Sequence, residues 1–251
     1  MRKIMIFKRF LFLSCLCVFL ISSVNFVWAK YPERPIQLIV PWGAGGGTDS
    51  VARTIAMALE QELGQPINVV NRPGGGSVVG HTVIANSKPD GYTLGLLTGE
   101  VNMLHWQGLT DLTYKDFTPI GQINYDYAGV QVSATSKYKN LQELIEAFRT
   151  EPAGTMTASG TGQGGVWHLS FAGLLLDQGI DPQNLKWIPS DGAATAMTDL
   201  VAGGIDVAPT SIPEARSMMD AGRVVSIGYM GPERHPVFPD IPTLKEGLDS
   251  D

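Results

Sequence analysis

Ile36-Gln37-Leu38-Ile39-Val40-Pro41-Trp42-Gly43-Ala44-Gly45-Gly46-Gly47-Thr48-Asp49 is the stretch that decides the fold. Its first five residues read as a short apolar strand, and Pro41 to Gly47 as a flexible loop. A helix follows, with Thr48 or Asp49 as its cap, Val51, Ile55, Leu59 and Leu63 on one face, and Gly64 as its stop. Strand, glycine loop and helix in that order open an α/β unit.

The same plan continues outward. Ile67 to Val70 is a strand, Asn71 to Ser77 a loop, Val78 to Asn86 a short helix and Tyr92 to Leu97 a third strand. A second half repeats it. Thr155 to Ser159 is a strand and Gly160-Thr161-Gly162-Gln163-Gly164-Gly165 a loop. Val166 to Gln178 is a helix with Leu169, Ala172 and Leu176 on one face. Strand Leu185 to Ile188, loop Pro189 to Gly192, helix Ala193 to Ala202 and strand Ile205 to Ala208 complete it. The two loops of each half lie about 25 residues apart in both halves. Two βαβαβ units predict two parallel-sheet lobes, 30–128 and 129–251, with a ligand cleft between them at the strand C-termini. Between the two units, Asn140 caps a helix from Leu141, with Glu143 completing a capping box.

The first 29 residues read as a secretory signal. Arg2, Lys3, Lys8 and Arg9 precede an apolar run from Phe10, and Val27-Trp28-Ala29 suits cleavage after Ala29; the alternative is a retained anchor. Cleavage removes both cysteines, Cys15 and Cys17, and takes the formal net charge from −6 to about −10. The expected mature protein is exported, cysteine-free and acidic, so nucleic acid and anionic lipid are poor partners. An apolar fraction of 44%, without low-complexity tracts, excludes disorder.

Gly160, Gly162 and Gly165 match the dinucleotide pattern G-x-G-x-x-G, but export and the lack of a clear ribose-binding acid argue against NAD. Neither glycine loop is followed by the Lys of a phosphate-binding P-loop, and the four histidines show no metal-binding spacing. No cofactor and no metal are expected. A helix N-terminus carries free N–H groups and about half a positive charge, enough to hold a carboxylate without Lys or Arg. Two such loops, facing each other across a cleft, suit a small organic anion with a carboxylate at either end. Trp42 and Trp167 flank the loops as ligand walls or core residues, and His168 bonds either a ligand or a carbonyl.

Several runs together resemble the Bug/TctC family, the extracytoplasmic receptors of tripartite tricarboxylate transporters. They are Tyr31 to Ile36, Val40 to Asp49, Asn71-Arg72-Pro73-Gly74, Pro89 to Leu94, Lys115-Asp116-Phe117, Ala158 to Leu169, Asp199-Leu200 with Gly204 to Val207, and Pro239 to Thr243. The resemblance covers the chain from Tyr31 on. It implies a two-lobed, type II-like periplasmic binding protein that closes on a di- or tricarboxylate as a monomer and delivers it to membrane subunits. It places Gly45, Gly46, Gly47, Thr48 and Asp49 at a first-lobe anchor and Gly162, Gly164, Gly165 and His168 at a second. Asp191, Gly192, Ala193 and the Pro209-Thr210-Ser211 loop close the sides. Asp191 departs from the family pattern by bringing a negative charge near the expected carboxylate. The resemblance also leads one to expect a C-terminal segment returning to lobe 1, and a sequence that stops at Asp251 is expected to be truncated before it. A sensor for the same ligand, or an exported enzyme using Asp49 or His168, are the other readings.

Overall fold

A computed structural model describes residues 31–248; the expected signal sequence lies outside them. Strand β1 (Ile36–Val40) is the centre of the first sheet, paired in parallel with β2 (Ile67–Asn71) on one side and β3 (Thr93–Gly95) on the other. Its four buried apolar residues, Ile36, Leu38, Ile39 and Val40, explain the central place, because both faces of an inner parallel strand are covered. Helix α1 (Gly47–Leu63) packs Ala52 and Ala56 onto this sheet with Leu59 and Leu63, and Gly64 ends it at φ 64°. The cap differs from the expectation: Gly46 is the N-cap and Asp49 lies one turn in. Helix α2 (Val78–Ala85) lies close on the strand-end loop, where any side chain at Gly80 would strike Pro41.

The second lobe is less regular than two identical units require. Strands β5 (Met156–Ala158) and β6 (Leu185–Trp187) pair in parallel as expected. Strand β4 (Gly129–Ser133) instead pairs antiparallel with β7 (Val224–Tyr229). The expected strand Ile205 to Ala208 shrinks to single bridges, Ala158 with Val207 and Gln131 with Ala208, which link the two pairs. The reason is local. The Asp206 carboxylate accepts from the Thr157 N–H and hydroxyl, both at 2.8 Å, taking a donor that a ladder carbonyl would use.

Helices α3 (Leu141–Thr150) and α4 (Val166–Asp177) share one apolar core with β4, β5 and β6. Asn140 caps α3 as its sequence indicates, its side chain accepting from Glu143 N–H at 2.9 Å. On α4 the expected face is wrong. Leu169 and Leu176 are exposed, and Phe171, Leu174 and Leu175 are buried, with Phe171 edge-on to Phe148. The helix is apolar all round, so several stripes fit the spacing equally well. Helices α5 (Ala193–Ala202) and α6 (Ile212–Asp220) pack together in a smaller cluster, and α7 (Leu244–Leu248) closes the described chain. From Arg34 on, the described residues form one compact unit. Among them no helix is long and apolar enough to cross a membrane.

Candidate functional site

The two glycine loops have the same local construction. In the first, Gly45 is left-handed at φ 82°, Gly46 is the extended N-cap, and the Gly45 N–H donates to Asp49 Oδ2 at 2.9 Å. In the second, Gly164 has φ 74°, Gly165 is the extended N-cap, and the Gly164 N–H donates to His168 Nδ1 at 2.9 Å. Each loop is thus tied down by the third residue of the helix it leads into. Only glycine takes the left-handed position without strain.

Asp49 is 3% exposed and holds more than the loop. It also accepts from Arg53 Nε at 2.9 Å and Asn71 Nδ2 at 3.0 Å, and Asn71 donates on to the Trp42 carbonyl. Burial pushes its carboxyl up, but the hydrogen bonds from Arg53, Gly45 and Asn71 outweigh this and hold it below the usual carboxylate range. His168 is half-buried against Trp187, and desolvation lowers its pKa, which keeps the ring neutral and able to accept.

Each glycine loop lies close against other segments of the opposite lobe. A Cβ at Gly162 would lie 2.8 Å from Gly76 Cα. Gly43 N–H donates to the Asp191 carbonyl at 2.9 Å, and Gln107 Nε2 to the Gly164 carbonyl at 3.1 Å. The Asp191 residue is exposed, so only its backbone joins this contact. Gly192, at φ 148°, is the N-cap of α5 and Ala193 is buried behind it. Thr48 is half-buried in the first turn of α1. Trp42 lies in the first-lobe core with its indole N–H on Thr98 Oγ1, whereas Trp167 packs half-buried against the second-lobe core. Thr210 is fully buried, its N–H donating to Gln131 Oε1 at 3.1 Å.

Four further residues stand at these contacts, and no local pattern marks them as part of a site. Glu214 of α6 accepts the Gly47 N–H at 3.0 Å, while its other oxygen accepts the Ser211 N–H at 3.1 Å. Glu100, 4% exposed in a short turn of the first lobe, accepts the Val166 N–H at 3.2 Å. Ser77 and Thr161, one from each lobe, are buried with hydroxyls that have no hydrogen-bond partner. Ser77 is also left-handed at φ 86°, a strained position for a residue with a side chain. Among the described residues, no group of His, Cys, Asp or Glu is arranged to hold a metal ion.

The chain is similar to known proteins over most of its length. Its residues 51–250 match the model of the tripartite tricarboxylate transporter family receptor. A UPF0065 protein of Cupriavidus necator is 33% identical over 224 residues, which cover 86% of this chain and 65% of that protein. The chain spans just under two thirds of the length of the curated relatives it matches, 64% of one from a Pseudomonas species. Among solved structures, the periplasmic binding protein BugD is 29% identical with a TM-score of 0.75, covering 87% of this chain and 72% of BugD. MatC of Rhodopseudomonas palustris, solved with malate bound, is 29% identical with a TM-score of 0.77, covering 87% of this chain and 74% of MatC. By sequence and by its α/β architecture, the chain belongs to the receptor family of the tripartite tricarboxylate transporters.

Proposed function

We propose that the protein is a periplasmic solute-binding receptor, not an enzyme, which captures a small carboxylate between its lobes and delivers it to the membrane subunits of a tripartite transporter. The observation that carries this reading is the matched pair of glycine loops, each opening a helix N-terminus toward the other lobe. The next N–H groups of each first turn, at Thr48 and Asp49 and at Trp167 and His168, have no acceptor within their own helix. Those donors, with the unpartnered hydroxyls of Ser77 and Thr161, can hold an anion in a site without a metal. Gly45, Gly46 and Gly47 form the first anchor and Gly162, Gly164 and Gly165 the second. Asp191, Gly192, Ala193 and Thr210 close the sides. Trp42 and Trp167 support the two anchors from behind. We take the lobes to divide at 128/129, a reading supported by the separate apolar clusters around β1 and around β4.

Binding to a folded protein alone raises its melting temperature by mass action. Malate, the ligand of MatC, heads a panel of mono-, di- and tricarboxylates, with NAD as control. A rise with one or more carboxylates and none with NAD is expected. A cooperative melt that no carboxylate moves, confirmed by calorimetry, overturns the reading.

A further inference from the structure

The N-termini of α1 and α4 are each met by a carboxylate from the opposite lobe. Glu214, from the second lobe, sits on the N-terminus of α1 through Gly47 N–H. Glu100, from the first lobe, sits on the N-terminus of α4 through Val166 N–H. The exchange is reciprocal, and neither carboxylate forms an ion pair with Lys or Arg among the described residues. Backbone N–H groups and helix dipoles therefore supply the compensation that a buried carboxylate requires.

We infer that Glu100 and Glu214 are built-in stand-ins for the ligand's carboxylates: each occupies the other lobe's helix N-terminus, holds the lobes together, and sets the anion affinity of the cleft. The inference rests on reading the cleft as a carboxylate receptor. A bound carboxylate gains the Gly47 and Val166 donors only by taking them from these two side chains. Gly47 is shaped to the purpose: a Cβ there would lie 2.7 Å from Glu214 Oε1, whereas one at Gly165 would meet Glu100 Oε1 only in ordinary contact at 3.4 Å. Glu214 is held at the other end by Ser211, whose N–H and hydroxyl both donate to Oε2, so the side chain cannot swing freely. Its closed position is costly. Burial pushes its carboxyl up, against the hydrogen bonds from Gly47 and Ser211, and the nearby Asp126 carboxylate pushes the same way. Opening the lobes returns that charge to water, and a ligand brings its own charge to the vacated N–H groups.

The test compares the full chain with its E100Q/E214Q variant, which keeps an acceptor oxygen at both positions and removes the charge. Spin labels at Met57 on α1 and Leu176 on α4, both exposed, with Cys15 and Cys17 changed to Ser, report the distance between lobes without ligand. The expected result is a shift of the ligand-free variant toward longer distances and an affinity for malate about fivefold tighter than that of the unsubstituted chain. A merely structural role weakens binding or leaves it unchanged. If E100Q/E214Q fails to fold, G47A displaces Glu214 by steric contact while leaving both glutamates, and the same lengthening is expected. An unchanged lobe distance, or weaker malate binding by a folded variant, overturns the inference. If the unsubstituted chain binds no carboxylate at all, the receptor reading fails, while the ligand-free distance still decides whether the two glutamates hold the lobes.

Discussion

The glycine loops at 43–49 and 160–168 have one backbone and two chemistries. Both present a left-handed glycine, an extended glycine cap and a side chain three residues into the helix that accepts the loop N–H. In the first loop that acceptor is a carboxylate, tied also to Arg53 and Asn71. In the second it is a neutral imidazole leaning on Trp187. The loop geometry therefore needs an acceptor, and the charge of that acceptor is free to vary. A charged acceptor gathers a network around itself; a neutral one keeps the anchor uncharged beside Glu100.

The sharpest way to break this comparison is D49A. It removes three hydrogen bonds to one buried carboxylate, and the expected loss is about 4 kcal/mol, read from denaturant melts. H168A removes a single neutral acceptor and should cost much less. Equal losses would mean that the two loops are held alike after all.

Acid should separate the two lobes next. His81, fully buried under the first lobe's second loop, has its pKa lowered from 6.5 to about 4 by desolvation. Its folded pKa lies below its unfolded one, so the unfolded chain takes up the proton first. Its contribution is complete above pH 6.5 and is lost as pH falls toward 4, by about 3 kcal/mol. His168 shifts in the same direction, so the second loop also loosens below pH 6.5. Asp49 runs the same way in a lower window: its pKa also lies below its ordinary value, so its contribution persists until the pH falls beneath the usual carboxylate range. Melts from pH 7 to pH 4 on the unsubstituted chain and H81Q check this. A slope unaffected by H81Q would remove His81 as its source.

The corrected face of α4 comes next, with L175A expected to cost about 3 kcal/mol and L176S to stay within about 0.5. The smallest effect concerns the second loop itself. H168A should cost about 1 kcal/mol at pH 7, and H168D should restore the acceptor and flatten the dependence below pH 6.5. Chemical denaturation at two pH values reads both, and an H168D chain no firmer than H168A would show that the imidazole has another task.

What the sequence made legible is what the chain decides locally. The stop at Gly64, the Asn140 cap and the helix Ala193–Ala202 rest on interactions within a few residues, and the strand at Ile36–Val40 shows in its apolar run. The glycine loops were equally plain. Three kinds of feature were not. The face of α4 was hidden because apolar residues surround the helix. The strand at 205–208 was cut short by the Asp206 side chain, which competes with the ladder. The antiparallel pairing of Gly129–Ser133 with Val224–Tyr229 joins segments nearly a hundred residues apart, with no turn between them to signal it. Glu214 is the extreme case: a Ser-x-x-Glu capping box accounts for it fully, and its second duty lies on a glycine 167 residues away.

That double duty bears on how such a receptor can change by descent. The pairing of Gly47 with Glu214 means that Gly47 is not free to take a side chain while Glu214 keeps its place, since the two would collide. The halves of the molecule are consequently not interchangeable parts. A chimera that joins the first lobe of this chain to the second lobe of a relative inherits one member of each cross-lobe pair and has to find the other anew. Recombination within the family is therefore easiest between chains that agree at both ends of these contacts.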